Sequence, residues 1–394
     1  MAELRRLLRK LPDTETMEIL VPDILGILRG KRVRRQSFEK TCTEGFMFPA
    51  GSILMNAIGD FVPGMIGESD GDPDTPCALI SGSMAPVPWS SRPAAQALFR
   101  VLDEDGRPFF ADPRAVLERS LQPLQKTGLK VVMATELEFY LLDAKAAKPS
   151  ARSARVPGLG RPQIGPQVYH PDDLWEIEPF LDELYACCEA QGIPADTATS
   201  EFAPGQFEIN LAHVPDPALA CDHAVLLKRA VKAIALRHGF VACFMAKPFA
   251  EDAGNGMHIH LSLVDRNGKN YFSHGRENLA SPPFSARLRH AVGGLLKTMP
   301  EATAIFAITM DDTGQRVLSV SARNVPTEYE VFYTVAYSLV SGEQTLLAPQ
   351  DLTFTQDYTW DETLVLGKAR EEDLMRDAIV QDLVRTVLKQ ISSL

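Results

Sequence analysis

The chain has 394 residues, 45% of them hydrophobic and 23% charged, the balance of a globular protein with a buried core rather than a disordered or fibrous one. Its net charge of −11, with no basic stripe interleaved with aromatics, argues against nucleic acid as a partner, and no apolar run reaches membrane-spanning length, so no membrane partner is expected. The N-terminal MAELRRLLRK lacks an apolar signal core, and six scattered cysteines without a CxxC pair read as reduced thiols, which together point to the cytoplasm.

In chain order, residues 17–34 read as two short strands around a turn. The stretch to about 103 is rich in Gly, Pro and short apolar runs, as a small β-rich domain with many turns requires. Residues 113–127 read as a helix with Pro113 in its first turn and Gly128 as its stop, and LKVVMA (129–134) as the strand that follows. The polar, Pro- and Gly-rich stretch 144–168 reads as a mobile loop. A helix over 172–191 carries the apolar stripe Leu174, Trp175, Ile177, Leu181, Leu184, Tyr185 and Cys188 and ends at Gly192. A second helix runs from about 216 to 238, between Asp216–Pro217 and Gly239. Strands near 241–245 and 257–264, a DRNG turn (265–268) and a helix over roughly 283–298 complete this part.

Three short motifs carry the chemistry: ATELEFYLLD (134–143), EFAPGQFEINL (201–211) and GNGMHIHLSL (254–263). Each shows period-two alternation, which projects alternate side chains from one face of a strand. Glu136 and Glu138 lie on one side of the first, with Leu137 and Phe139 on the other. Pro204 and Gly205 interrupt the second, so that a bulge or turn brings Glu201 and Glu208 toward one point. His258 and His260 share a face of the third, and the glycines flanking Asn255 fit a close approach of backbone to ligand. Four carboxylates gathered on one face beside an imidazole repel one another and resist dehydration, and a hard divalent cation such as Mg²⁺ or Mn²⁺ removes that cost. Carboxylate-rich sites of this type commonly handle phosphates.

These motifs, in this order, resemble the glutamine synthetase superfamily over about residues 15–307. GILRGKR (26–32), DGDPD (70–74), DHAVLLKRAVKAIA (222–235) and FMAKP (244–248) are most similar to its γ-glutamyl-polyamine synthetase and glutamate–amine ligase branch. The resemblance implies an α+β protein with a small N-terminal β-grasp domain (15–103). A catalytic domain (104–394) follows, with a curved antiparallel sheet flanked by helices. It further implies a homo-oligomeric ring whose active sites lie between adjacent subunits. The implied reaction joins the γ-carboxylate of glutamate to ammonia or an amine, such as a polyamine. ATP is the co-substrate, and the reaction passes through γ-glutamyl phosphate. By motif, Glu138, Glu201 and Glu208 hold one metal, and Glu136 and His258 the second. His260 and Ser262 stand where the family contacts nucleotide, and Gly254 where backbone meets glutamate. Ala253 departs from the Asn that many members place there. No catalytic acid or base is assigned.

After EATAIFA (301–307) the family pattern is lost. The arginines that would grip phosphates, and the glutamate that would complete the second metal site, have no counterpart in ITMDDTGQRVLSVSARNVPTEYEVFYTVAYSLVSG. Arg316 and Arg323 are its only arginines, and Glu328 or Glu330 stands as a substitute ligand. Within the region 308–394, residues 364–392 space Leu374, Ile379, Leu383, Val387 and Leu388 at helical intervals, as a helical replacement would. A catalytically impaired homologue with a binding or structural role is the alternative reading. A metal-dependent oxygenase built on the His-x-His pair is a third, opposed by so many carboxylates around one imidazole.

Overall fold

The computed structural model describes residues 1–56, 59–61, 71–146, 150–151, 165, 168–273, 285–302, 304–320, 326–341, 344–359 and the helical pairs 378–379, 382–383 and 386–387. Most of the 144–168 stretch, and Arg323, Leu374 and Leu388, therefore lie outside the described residues. The chain divides into two units: Met1–Leu54 with Gly71–Ser273, and Met55–Asp70 with His274–Leu394.

The first unit opens with helix α1 (Ala2–Lys10), strands β1 (Thr16–Pro22) and β2 (Leu28–Arg34), helix α2 (Phe38–Glu44), and strands β3 (Phe46–Pro49), β4 (Asp74–Leu79), β5 (Ala85–Pro86) and β6 (Ala94–Val101). These form one mixed sheet in the order β2-β1-β6-β4-β3, with β5 on β6. The pair β1–β2 is the expected hairpin, from Thr16↔Arg34 to Pro22↔Leu28, while β1 and β6 run parallel. A mixed sheet with a helix between its hairpin and its later strands is compatible with a β-grasp.

Helix α3 (Pro113–Gln125) then leads into β7 (Lys130–Asp143). The Asp112 side chain accepts from the Ala115 N–H at 2.9 Å as the N-cap of α3, and Gly128, at φ +78°, makes the turn into the strand. After α4 (Asp172–Trp175) and α5 (Glu178–Gln191) come β8 (Ala195–Ser200), β9 (Gln206–Leu211), α6 (Pro217–Arg237), β10 (Phe240–Cys243) and β11 (Met257–Val264). The single helix expected over 172–191 is thus two. Pro179 has no N–H to donate to the Trp175 carbonyl and its ring crowds that oxygen, which favours a break here over one continuous helix. Trp175 leaves the expected apolar stripe and is 67% exposed. Helix α6 is capped by Asp216, which accepts from Ala218 N at 3.0 Å.

The second sheet is antiparallel, in the order β10-β7-β9-β8, with β11 also on β7. Its central strand is long enough to take two partners on one edge: β11 along Lys130–Leu137 and β10 along Tyr140–Asp143. One face carries Leu137, Phe139, Leu141, Phe207, Ile209 and Leu211. These pack with Phe180, Leu184, Leu227, Val231 and Ile234 of α5 and α6 into the main core. Each such side chain, removed from water, contributes about 1.5–3 kcal/mol, so the helix side holds the sheet and leaves the opposite face free for polar groups.

The second unit has helix α7 (Ala286–Ala302) and strands β12 (Ala304–Val320), β13 (Pro326–Ser341) and β14 (Gln344–Thr359), antiparallel in that order. Residues 308–359 are therefore mostly strand, not a helical replacement. Val331, Tyr333, Val335, Tyr337 and Leu339 alternate along β13, a β-branched and aromatic pattern that suits a pleated half-buried surface. The helical spacing holds further on, where Leu383 and Val387 pack on Val335 and Tyr337, and Ile379 packs on Val331.

Candidate metal centre

Strand register assembles the acidic face of the first unit. On β7, Glu136 pairs with His258 of β11 on one side and Asn210 of β9 on the other. Glu138 pairs with Glu208, and Glu208 with Thr199 of β8. Neighbouring strands lie about 4.8 Å apart, so unbroken register alone places these side chains together, on the face opposite the helices.

Ligand atoms of Glu136, Glu208 and His258 all lie within 4.8 Å of one another. His258 Nδ1 is 3.1 Å from Glu136 Oε2 and 3.8 Å from Glu208 Oε2, and His260 Nε2 is 2.9 Å from Glu136 Oε1. The His213 and His260 ring centroids are 6.0 Å apart, edge to face. Glu201 lies beyond the end of β8, its Oε1 accepting from Thr199 Oγ1 at 3.3 Å, close enough for the charges of Glu138 and Glu208 to act on it. Ser262 follows His258 and His260 on the same face of β11, opposite Val132.

Residues that the motifs did not single out hold these groups in place. The buried Gln206 donates Nε2 toward Glu138 Oε2 at 3.0 Å, the Gly254 carbonyl at 2.9 Å and Asn255 Oδ1 at 3.1 Å. Asn210 Nδ2 donates to Glu208 Oε1 at 3.1 Å. Both lie two residues from Glu208 along β9, so the alternation that marks the acids marks them too. The 253–256 turn is pinned as well: Tyr140 Oη donates to the Ala253 carbonyl at 2.6 Å, and Asn255 N to the Ala246 carbonyl at 2.8 Å. A Cβ on Gly254 would meet that same Ala246 oxygen at 2.7 Å.

Charge is unevenly relieved. Burial, then the charge of Glu136, raises the Glu208 carboxyl above its ordinary range. Burial, then Glu138 and Glu208, does the same for Glu201. Burial alone would raise Glu136 too, but hydrogen bonds from His260 and His258 bring it below its usual value. The hydrogen bond to Glu136 correspondingly raises His258. The Glu208 side chain is 9% exposed and that of His258 58%, so the cluster has a buried acidic floor and an open side that a solute can reach. Carboxylate oxygens dominate the donor set, with imidazole beside them and surplus negative charge on the floor, which fits a hard divalent cation.

Arg316 is paired across β12–β13 with Glu330, its register partner, and lies over the Phe332 ring at 5.9 Å. Glu330 is thereby engaged as well, rather than free as a substitute ligand.

Residues 110–312 match the profile of the glutamine synthetase catalytic domain. A second profile, described as lipopolysaccharide-assembly, matches residues 259–391. The chain is 38% identical over 307 residues to the gamma-glutamylputrescine synthetase of Escherichia coli (strain K12), covering 77% of this chain and 64% of that protein. It is 30% identical over 262 residues to a glutamate–isopropylamine ligase of a Pseudomonas species, covering 66% and 56%. It thus spans less than two thirds of the length of these relatives. Among solved structures, a GmaS–ADP complex superposes with a TM-score of 0.62 at 26% identity, over 77% of this chain and 66% of that one. Among the described residues, no helix is long and apolar enough to cross a membrane. With the catalytic-domain profile matched over more than half of the chain, and with the acidic face in the register the motifs call for, the chain belongs to the glutamine synthetase family.

Proposed function

We propose that this chain is an ATP-dependent ligase that joins the γ-carboxylate of glutamate to ammonia or an amine, a polyamine being the favoured class, through γ-glutamyl phosphate. One observation carries the reading: Glu136, Glu208 and His258 converge from three strands, with Glu138 and Glu201 on the same acidic face. The similarity to a gamma-glutamylputrescine synthetase supports the choice of amine class. In this reading Glu138, Glu201 and Glu208 hold one Mg²⁺ or Mn²⁺, and Glu136 and His258 the other. Such ions, when bound, neutralise the phosphates and bring two anionic reactants together.

The chain's own residues do the rest. Gln206 fixes Glu138 and, through the Gly254 carbonyl, the turn that meets glutamate. His260 and Ser262 face the nucleotide from β11. The exposed side of His258 admits the substrates, while the floor at Glu208 excludes water. The working protein is a cytoplasmic homo-oligomeric ring, with an N-terminal β-grasp domain over 15–103 and the catalytic domain over 104–394.

The test is phosphate release from ATP with glutamate and a panel of ammonia, putrescine and isopropylamine, in Mg²⁺ and then Mn²⁺. Release is expected to require both glutamate and an amine, and Glu208→Gln is expected to lower it at least about a hundredfold. Release that ignores glutamate, or an unimpaired Glu208→Gln, sinks the assignment.

A further inference from the structure

On the helix side of the first unit, away from the acidic face, a cavity of about 280 Å³ opens between the β1–β2 hairpin and α6. Leu20, Ile27, Leu28 and Val225 form its apolar wall, and Lys228, Arg229 and Lys232 bring positive charge to it.

The two lysines are placed at mutual cost. Lys228 Nζ lies 5.9 Å and Lys232 Nζ 6.0 Å from the centroid of the same Phe244 ring. Each gains a cation–π contact, but the two ammonium groups are held near one another. Burial, and then the charge of Lys232, lowers the Lys228 pKa. Asp23 is the carboxylate whose charge acts on Lys228 in the opposite sense. It is already committed, Oδ1 accepting from Leu25 N at 2.9 Å and Ile27 N at 2.7 Å, and Oδ2 from Arg29 Nε at 3.0 Å. Among the described residues, neither lysine makes an ion pair with a carboxylate of the chain.

Arg229 is held apart from the two lysines. It is paired with Glu18 and lies over the Trp89 ring at 5.3 Å.

We infer that this groove is a second ligand site, for a small aliphatic carboxylate whose head lies at Lys228 and Lys232 and whose chain lies on Leu20, Ile27, Leu28 and Val225. A single anion answers the paired ammonium groups, and the apolar wall selects an organic acid over an inorganic one. The site shares no residue with the acidic face.

The probe is hexanoate, titrated calorimetrically into the full chain beside inorganic phosphate and hexylammonium. Hexanoate is expected to bind, phosphate at least about tenfold more weakly, and hexylammonium not at all. Lys232 is exposed, so Lys232→Ala will fold; it is expected to weaken hexanoate about tenfold or more, and Lys228→Met likewise. Binding is expected to persist in Glu208→Gln, which alters only the acidic face. The proposal is overturned by absent hexanoate binding, by phosphate binding as tightly, by an unaffected Lys232→Ala, or by loss of binding in Glu208→Gln.

Discussion

A methyl group on Gly256 would sit 2.7 Å from Glu138 Oε1 and 3.0 Å from His258 Nε2. A free carboxylate could swing away, but the other oxygen of Glu138 is held by Gln206 at 3.0 Å, so relief breaks a buried hydrogen bond. Gly256→Ala is therefore expected to weaken Mn²⁺ binding on the order of tenfold and to lower stability by about 1–3 kcal/mol. Titration followed by Mn²⁺ spin resonance, with urea unfolding, checks both, and an unchanged affinity would refute the account. Much at this scale was readable beforehand. Glu136, Glu138, Glu208 and His258 announce themselves by charge and period-two spacing. Gln206 and Asn210 share that spacing but stayed hidden, because an amide on a strand looks like any solvated polar group until its burial is known. The role of Gly256 was half visible: the glycines beside Asn255 signalled close approach, but the groups approached are the side chains of Glu138 and His258.

Elements were legible where one local rule decides and illegible where two compete. Caps at Asp112 and Asp216, and the stop at Gly128, decide α3 and α6, and both appear where expected. Between 172 and 191 the apolar stripe argues for one helix and Pro179 for two; the lost hydrogen bond to Trp175 wins. In the second unit the helical spacing of Ile379, Leu383 and Val387 is real, but it belongs to the segment that covers a sheet, and the long alternation of β13 is what it covers. Leu383 is 6% exposed among Val335, Tyr337 and Val387. Leu383→Asp, which buries a charge there, is expected to cost about 3 kcal/mol or more. Because each unit has its own core, amides of Pro326–Ser341 should lose protection from hydrogen exchange while those of Lys130–Asp143 keep it. Equal loss in both strands would show that the cores are not separate.

For the whole molecule, the motifs carried the family, whose catalytic profile matches residues 110–312. The fold beyond that was not legible, since the family pattern ends and a second profile covers 259–391. The thiols give a global readout of the first unit. Burial pushes Cys77, Cys187 and Cys188 up to about 12, so at pH 8 only about one in ten thousand of each is thiolate. These three are expected to resist alkylation at pH 8 in the native chain and to react fully in urea, as peptide mass spectrometry can follow. Ready native labelling of Cys187 or Cys188 would contradict the packing of α5 against the sheet.

The pairing of Glu136 with His258 spans 122 positions of sequence, and that span has a consequence in time. Closing so long a loop carries an entropic cost that must be met before the contact returns anything. During synthesis, β7 and β9 both emerge well ahead of β11, so the carboxylates meet each other before they meet the imidazole. The acidic face thus passes through a stage with its charges least relieved. A divalent cation arriving at that stage would relieve them and so act as a folding aid.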